Sequence, residues 1–304
     1  MTFTSLNIIT SQNLAIFYAV ILSVFIFLVF KELGRRNIAP LPVIIINYFV
    51  CFILGNIWIS TGISTELKEV SIPRLLQINS FSLVEFFAVS TGVLFLFTFL
   101  FMAYSTQKVG AAASSVASKM SMVIPILSAI IIWDENVNIW GYVGIFMALL
   151  SVYLMIKPNK MDSLKWDLIL VWVFLGSGLV DLSINFLNKI NQGELSNMQL
   201  TTHTFTGALI TGIFYILFKR DFTVFKLKVN WFWGIILGTI NLFSIVALYN
   251  ALDSFPNHSS AFFTINNILV VVGASLVGIF YREKWSIAKV LGLILALFSI
   301  YLVQ

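Results

Sequence analysis

Lys119, Asp181 and His203 of this 304-residue chain can carry charge and lie inside long apolar runs. An ionisable group at the centre of a membrane helix costs roughly 2.5 to 3.5 kcal/mol to insert, so it should face a helix bundle or a wet cavity. Lys119 lies about 12 Å along its helix from Ala111, and Ser115, Ser118 and Met122 share its face at helical spacing. With Asn266 and Asn267 of a later run, Lys119 could bind an anionic or carboxylate-bearing solute near the midplane of a bilayer. Two other readings of Lys119 stand beside this one: a structural ion pair with Asp181 or Glu85, and snorkelling towards the nearer interface. Pro125, which lacks an N–H, should leave the carbonyl of Ser121 without its helix partner.

Ser177, Asp181 and Asn185 recur every four residues and give their helix a polar stripe. Intramembrane carboxylates recur in proton relays, which makes Asp181 a candidate proton carrier; the alternative is a pair with Lys119 or Lys189. His203, in TTHT at the start of another run, is a second proton-coupling candidate, against an interfacial position bonded to its neighbouring threonines. Asn47, Tyr48, Tyr104, Asn241, Ser244, Tyr249 and Asn250 are further polar groups in apolar surroundings and must find a partner or water. Of these, Tyr104, Asn241 and Tyr249 join Lys119, Ser115, Asn266, Asn267 and Asp181 as candidate substrate contacts. Glu135 and Glu283 fall at the ends of apolar runs and read as turn or helix-start residues. The Gly234/Gly238 pair reads as close helix packing. A lone cysteine, Cys51, excludes an internal disulfide or a thiolate metal cluster, and no metal or catalytic site is expected.

These residues must be held by membrane helices. The chain is 59% hydrophobic and only 10% charged, whereas soluble domains carry charge on roughly a quarter of their residues. Its apolar residues fall in blocks of about 20, the length that crosses roughly 30 Å of hydrocarbon. The spacing predicts ten transmembrane helices, over 12–30, 41–60, 81–104, 111–133, 139–156, 166–187, 199–218, 231–252, 259–281 and 286–303. Continuous Leu, Ile, Phe and Val exclude the alternating segments of a β-barrel. The connection 61–80 has the mixed polarity of an interfacial segment. The first run, Leu14 to Phe30, lacks a basic leader and a cleavage site and reads as a retained span. A net charge of +5 is dispersed over short loops, which suits anionic lipid headgroups and not nucleic acid.

Shifting the sequence by 148 residues lays Ser115–Leu154 over Phe263–Leu302 without a gap. Glu135 falls on Glu283, Gly144 on Gly292, Ala148 on Ala296, Ser151 on Ser299 and Tyr153 on Tyr301. The chain therefore reads as two five-helix repeats, residues 1–157 and 158–304. An odd helix number makes the second copy enter the membrane from the opposite side, so the fold class is all-α integral membrane with inverted repeats. That architecture recurs in secondary carriers, whose halves rock about a midplane site. Lys119 and Asn267 would then face each other across the pseudo-two-fold axis.

Each half ends with a small-residue helix, a proline-bearing or equivalent stretch, an acidic residue and a glycine-bearing final helix. The segments are TQKVGAAASSVASKMSMVIPILSAIIIWDENVNIWGYVGIFMALLSVYLMI and NHSSAFFTINNILVVVGASLVGIFYREKWSIAKVLGLILALFSIYLV. In this the sequence resembles the EamA-like branch of the drug/metabolite transporter superfamily, although Gly273 stands opposite Pro125, and Asp134 and Arg282 replace the glycine before the acidic residue. The resemblance implies a ten-helix transporter of small metabolites, with lysines on the fourth and ninth helices touching substrate in related organophosphate and nucleotide-sugar carriers.

The loops hold 14 Lys and Arg on the odd-loop side and 3 on the side of the termini, which places the termini outside the cytoplasm, whereas the resemblance implies cytoplasmic termini. The expected protein is a secondary transporter of an amino acid, organic acid or similar polar solute, working in efflux in a bacterial cytoplasmic (inner) membrane. It would exist as a monomer or homodimer and need no cofactor beyond a coupling proton or counter-substrate. The competing classes are an intramembrane enzyme on lipid or peptide and a non-transporting sensor. Neither the concentrated catalytic groups of the first nor the signalling domain of the second is present.

Overall fold

Hydrocarbon offers a peptide group no hydrogen-bond partner, so a chain that crosses it must satisfy its backbone internally. The computed structural model describes residues 3–61, 82–133, 138–156, 168–191, 193–220, 225–253 and 259–302. Its elements are α1 (Phe3–Arg35), α2 (Pro40–Thr61), α3 (Leu83–Lys108), α4 (Ala111–Met120), α5 (Val123–Trp133), α6 (Ile139–Ile156), α7 (Ile169–Asn191), α8 (Asn197–Lys219), α9 (Lys228–Asp253), α10 (Ser259–Phe280) and α11 (Ile287–Leu302). The protein is an all-α integral membrane protein. Seven segments, 16–35, 40–61, 83–108, 111–128, 169–191, 197–219 and 228–248, are long and apolar enough to span a bilayer, and 139–155, 265–280 and 287–302 are shorter apolar helices. Together they fall on the apolar runs of the sequence, but α1 begins at Phe3 and the 111–133 run is broken into α4 and α5. The interfacial stretch 61–80 and Glu135 lie outside the described residues, apart from Thr61 at the end of α2.

Local chemistry fixes several helix starts. Ser82 accepts from the Glu85 N–H while Glu85 accepts from the Ser82 N–H, and Ser196 and Gln199 repeat the arrangement at α8. Within α8, Thr201, Thr202, Thr204, Thr206 and Thr211 each donate to the carbonyl four residues back, so their hydroxyls are satisfied without water. The outer surface is apolar: Phe218 is 85% exposed and Phe280 78%, positions that suit acyl chains and not water.

The helices approach closely where side chains are smallest. α3 lies against α8 at Gly92 and Gly207, where an added Cβ would run into the partner's backbone: that of Thr204 and Ala208 from Gly92, and the Val89 carbonyl from Gly207. α2 and α9 meet at Gly234 and Gly238, the latter 2.7 Å, measured from a built Cβ, from the carbonyl of Asn47. The Gly234/Gly238 pair is thus the packing device its spacing suggests. Tyr48 is fully buried beneath this seam, donates to the Phe95 carbonyl at 3.1 Å, and packs on Phe99 and Phe205.

α4 and α10 run antiparallel, with Ala111 near Glu283 at one end and Met122 near Asn267 at the other. α6 and α11 are also antiparallel. The Ser299 hydroxyl donates to the Gly144 carbonyl at 2.8 Å, and Gly292 abuts the carbonyl of Ser151. Buried residues of α4, α6, α7, α10 and α11 share one apolar core, and those of α1, α2, α3, α8 and α9 form another.

At Gly207 the obstacle is backbone, which cannot rotate away as a side chain can. Gly207→Val should cost about 3 kcal/mol or more, because overpacking at a seam displaces a whole helix. The expected result is loss of monodisperse protein in detergent gel filtration, while Thr211→Val, one turn on and half-buried, keeps the elution profile.

Candidate functional site

The break in the fourth span decides where Lys119 stands. α4 ends at Met120, a turn covers Ser121 and Met122, and α5 starts at Val123, ahead of Pro125. Pro125 does not leave the Ser121 carbonyl unpaired, as its missing N–H suggested. The Ile124 N–H bonds that carbonyl at 2.9 Å, a tighter turn in place of the lost helix bond. Lys119 is therefore in the last turn of a half-helix, whose C-terminal dipole favours a cation. Interrupted helices of this kind form ion and substrate sites in membrane carriers.

α7 supplies the facing wall. The Ser177 hydroxyl donates to Ser118 Oγ at 3.1 Å, and the Ser121 hydroxyl lies 3.3 Å from Asp181 Oδ2 and 2.5 Å from the Ser118 carbonyl. Ser121 has one proton, so it serves one of these acceptors at a time. Lys119 and Asp181 are half-buried and interact electrostatically. Among the described residues, no carboxylate lies within the 4 Å of an ion pair with Lys119. The polar stripe of α7 thus meets the serine face of α4, with opposite charges near each other but not in contact.

From the other side α10 presents Asn267, whose Nδ2 donates to Met122 Sδ at 3.6 Å. Asn266 is 1% exposed, and its Oδ1 finds no hydrogen-bond partner among the described residues. Lys119, Asp181 and Asn267 are brought around one helix break, with Met122 bridging to α10. Other expected contacts stand apart. Ser115 is fully buried and its hydroxyl donates to the Ala112 carbonyl of its own helix at 2.9 Å. Asn241 donates to Asn47 Oδ1 at 3.2 Å, beside Cys51, which donates to the Gly238 carbonyl. Tyr104 is half-buried in the last turns of α3. The side chain of Tyr249 lies outside the described residues.

His203 stands beside Glu85 and not in bonds with its neighbouring threonines. Its Nε2 is 3.7 Å from Glu85 Oε1, and its Nδ1 has no partner among the described residues. The neighbouring threonines are occupied with their own helix. Glu85, tied to the start of α3 and to His203, is not the partner of Lys119.

A second polar cluster, at the end where α1 stops, was not singled out as a group by sequence. Glu32 takes Arg35 and Arg36 and accepts from the Tyr281 phenol at 2.8 Å. Burial first, and then the Glu32 carboxylate, push that phenol up to about 12, so it remains a donor at any physiological pH. Charge clustered at the end of a run was the available signal, but it reads equally well as ordinary interfacial charge.

A helical membrane protein with a polar site at an interrupted helix is the class these features define. Residues 10–157 match the EamA-like transporter family. This first half of the chain is thus EamA-like, and the EamA-like family is part of the drug/metabolite transporter superfamily, whose members are transporters. The chain is similar to an uncharacterized protein of Haemophilus influenzae, 26% identical over 215 residues that cover 69% of this chain and 72% of the relative. A solved crystal structure that it matches at a TM-score of 0.58, with 14% identity and 97% of each chain covered, shares its fold.

Asp181 interacts electrostatically with Lys119, so the two should be coupled energetically. Asp181→Ala is expected to destabilise the protein by about 2 kcal/mol, since it takes the nearby countercharge from a half-buried Lys119. The double variant Lys119→Ala/Asp181→Ala should recover about 1 kcal/mol of that loss. Unfolding in detergent by increasing denaturant gives the comparison, and strict additivity would show the two charges to be independent.

Proposed function

We propose that this membrane transporter is a secondary carrier that exports a small carboxylate- or phosphate-bearing metabolite, such as an amino acid or organic acid, across a bacterial inner membrane. The observation that carries this reading is the position of Lys119: a cation inside the bundle, at a helix break, with no carboxylate in contact among the described residues. Such a charge is costly to hold unless something completes it, and an anionic solute can do so. Asn267 and Ser118 offer polar groups from both sides of the break. Asp181 is the candidate for proton exchange, because a proton on it would leave Lys119 uncompensated and more receptive to an anion.

Alternating access between inverted halves, 1–157 and 158–304, is part of the same reading. It is supported by the contacts of α6 with α11. Gly144 aligns with Gly292 and Ser151 with Ser299 at the 148-residue offset, and the structure pairs Gly144 with Ser299 and Ser151 with Gly292. Such reciprocal pairing is what a two-fold relation demands.

The test is a thermal-shift screen of purified protein against amino acids, organic acids, sugar phosphates and nucleotide sugars, followed by counterflow of the best ligand in proteoliposomes. An anion should raise the melting temperature of the wild type and lose about tenfold or more in apparent affinity with Lys119→Ala, as expected for a lost charge-assisted bond. Equal stabilisation of both proteins by every anion would remove Lys119 from the site.

A further inference from the structure

The α10–α11 turn, Tyr281 to Ser286, is tied to the first half of the chain by contacts that the central site does not use. The Glu283 carboxylate accepts from the Ala111 N–H at 2.8 Å, at the first turn of α4, and pairs with Lys31 of α1 at 2.5 Å. Both side chains of that pair are largely withdrawn from the surface, 17% exposed for Lys31 and 10% for Glu283. The carboxylate fits because its neighbours are glycines. Gly110 stands at φ +132°, and a Cβ there or on Gly278 would collide with the Glu283 oxygens. Beside it, Lys289 Nζ donates to the Val109 carbonyl at 3.1 Å, closing the end of α3, and Tyr281 donates to Glu32. This turn and the first turn of α11 therefore hold the ends of α1, α3 and α4 together.

The same place carries unmet demand. The side-chain atoms Thr106 Oγ1, Gln107 Nε2 and Trp285 Nε1 are buried without a hydrogen-bond partner among the described residues. A buried polar group without a partner costs free energy that hydration would return. Opening this end would break the Glu283 contacts and wet these three groups, whose hydration offsets part of that loss.

We propose that Glu283 is the latch of a gate at this end of the bundle, and that its contacts with Lys31 and the Ala111 N–H part together when the transporter opens on that side. The proposal rests on the alternating-access reading above, and its test separates the two. Spin labels on Ala39→Cys and Lys284→Cys report the separation of α1 and the α10–α11 turn at the latched end, in a Cys51→Ala background. Labels on Leu83→Cys and Ile265→Cys report the opposite end. Distances are measured by pulsed dipolar spectroscopy in lipid nanodiscs.

Glu283→Gln and Lys31→Gln should each raise the ratio of long to short distances at the latched end by about tenfold, the effect of losing one charge-assisted bond. If the opposite end narrows in the same samples, both the latch and alternating access hold. If the latched end opens and the opposite end does not respond, the latch holds and alternating access fails. Unchanged distances at the latched end in both folded variants overturn the latch. Loss of the folded protein in both variants also overturns it, since the contacts are then structural supports; if only Glu283→Gln fails to fold, Lys31→Gln, which keeps the bond to the Ala111 N–H, decides the question.

Discussion

The absence of water inside the bilayer is the constraint on which this structure depends. Every peptide group and every polar side chain within the hydrocarbon must find a partner from the chain itself. The threonines of α8 answer by bonding to their own helix, and Tyr48 answers by reaching the Phe95 carbonyl across a helix seam. Where a proline interrupts the fourth span, the Ser121 carbonyl takes the Ile124 N–H, so even the break satisfies its backbone.

Against that background, unmet polar groups carry information. Two places matter to a transporter: the break, where Lys119 has no carboxylate in contact among the described residues, and the end of the bundle where the α10–α11 turn is latched. The remainder of the interior is built from apolar cores and close glycine contacts, which hold helices together without directing chemistry. The α3–α8 and α2–α9 seams are thus closed by glycine contacts, while among the described residues unpartnered polar atoms lie on α3, α8, α10 and the α10–α11 turn.

Charge placement links the two regions through α4. Its N-terminus receives the Glu283 carboxylate and its last turn carries Lys119, so both ends of one half-helix sit beside the charge its dipole favours. A movement that withdraws Glu283 from Ala111 acts on the same rigid element that positions Lys119. α4 is only ten residues long and mostly buried, and is therefore the natural element to transmit such a movement.

Much of the fold was legible in the sequence, because a run of about 20 apolar residues has one stable solution in a bilayer and its length is read directly. The 148-residue offset aligned Gly144 with Gly292 and Ser151 with Ser299, but that these residues meet between α6 and α11 is visible only in the packed bundle. Lys119 and Asp181 were legible as well, because a charge in an apolar run is conspicuous. What the sequence could not determine was partnership. Whether Glu85 would meet Lys119 or His203, whether the Ser121 carbonyl would be orphaned, and what Glu283 would hold all depend on how helices far apart in the chain rotate against one another. Helical periodicity determines which residues share a face, but only the packed bundle decides what that face meets.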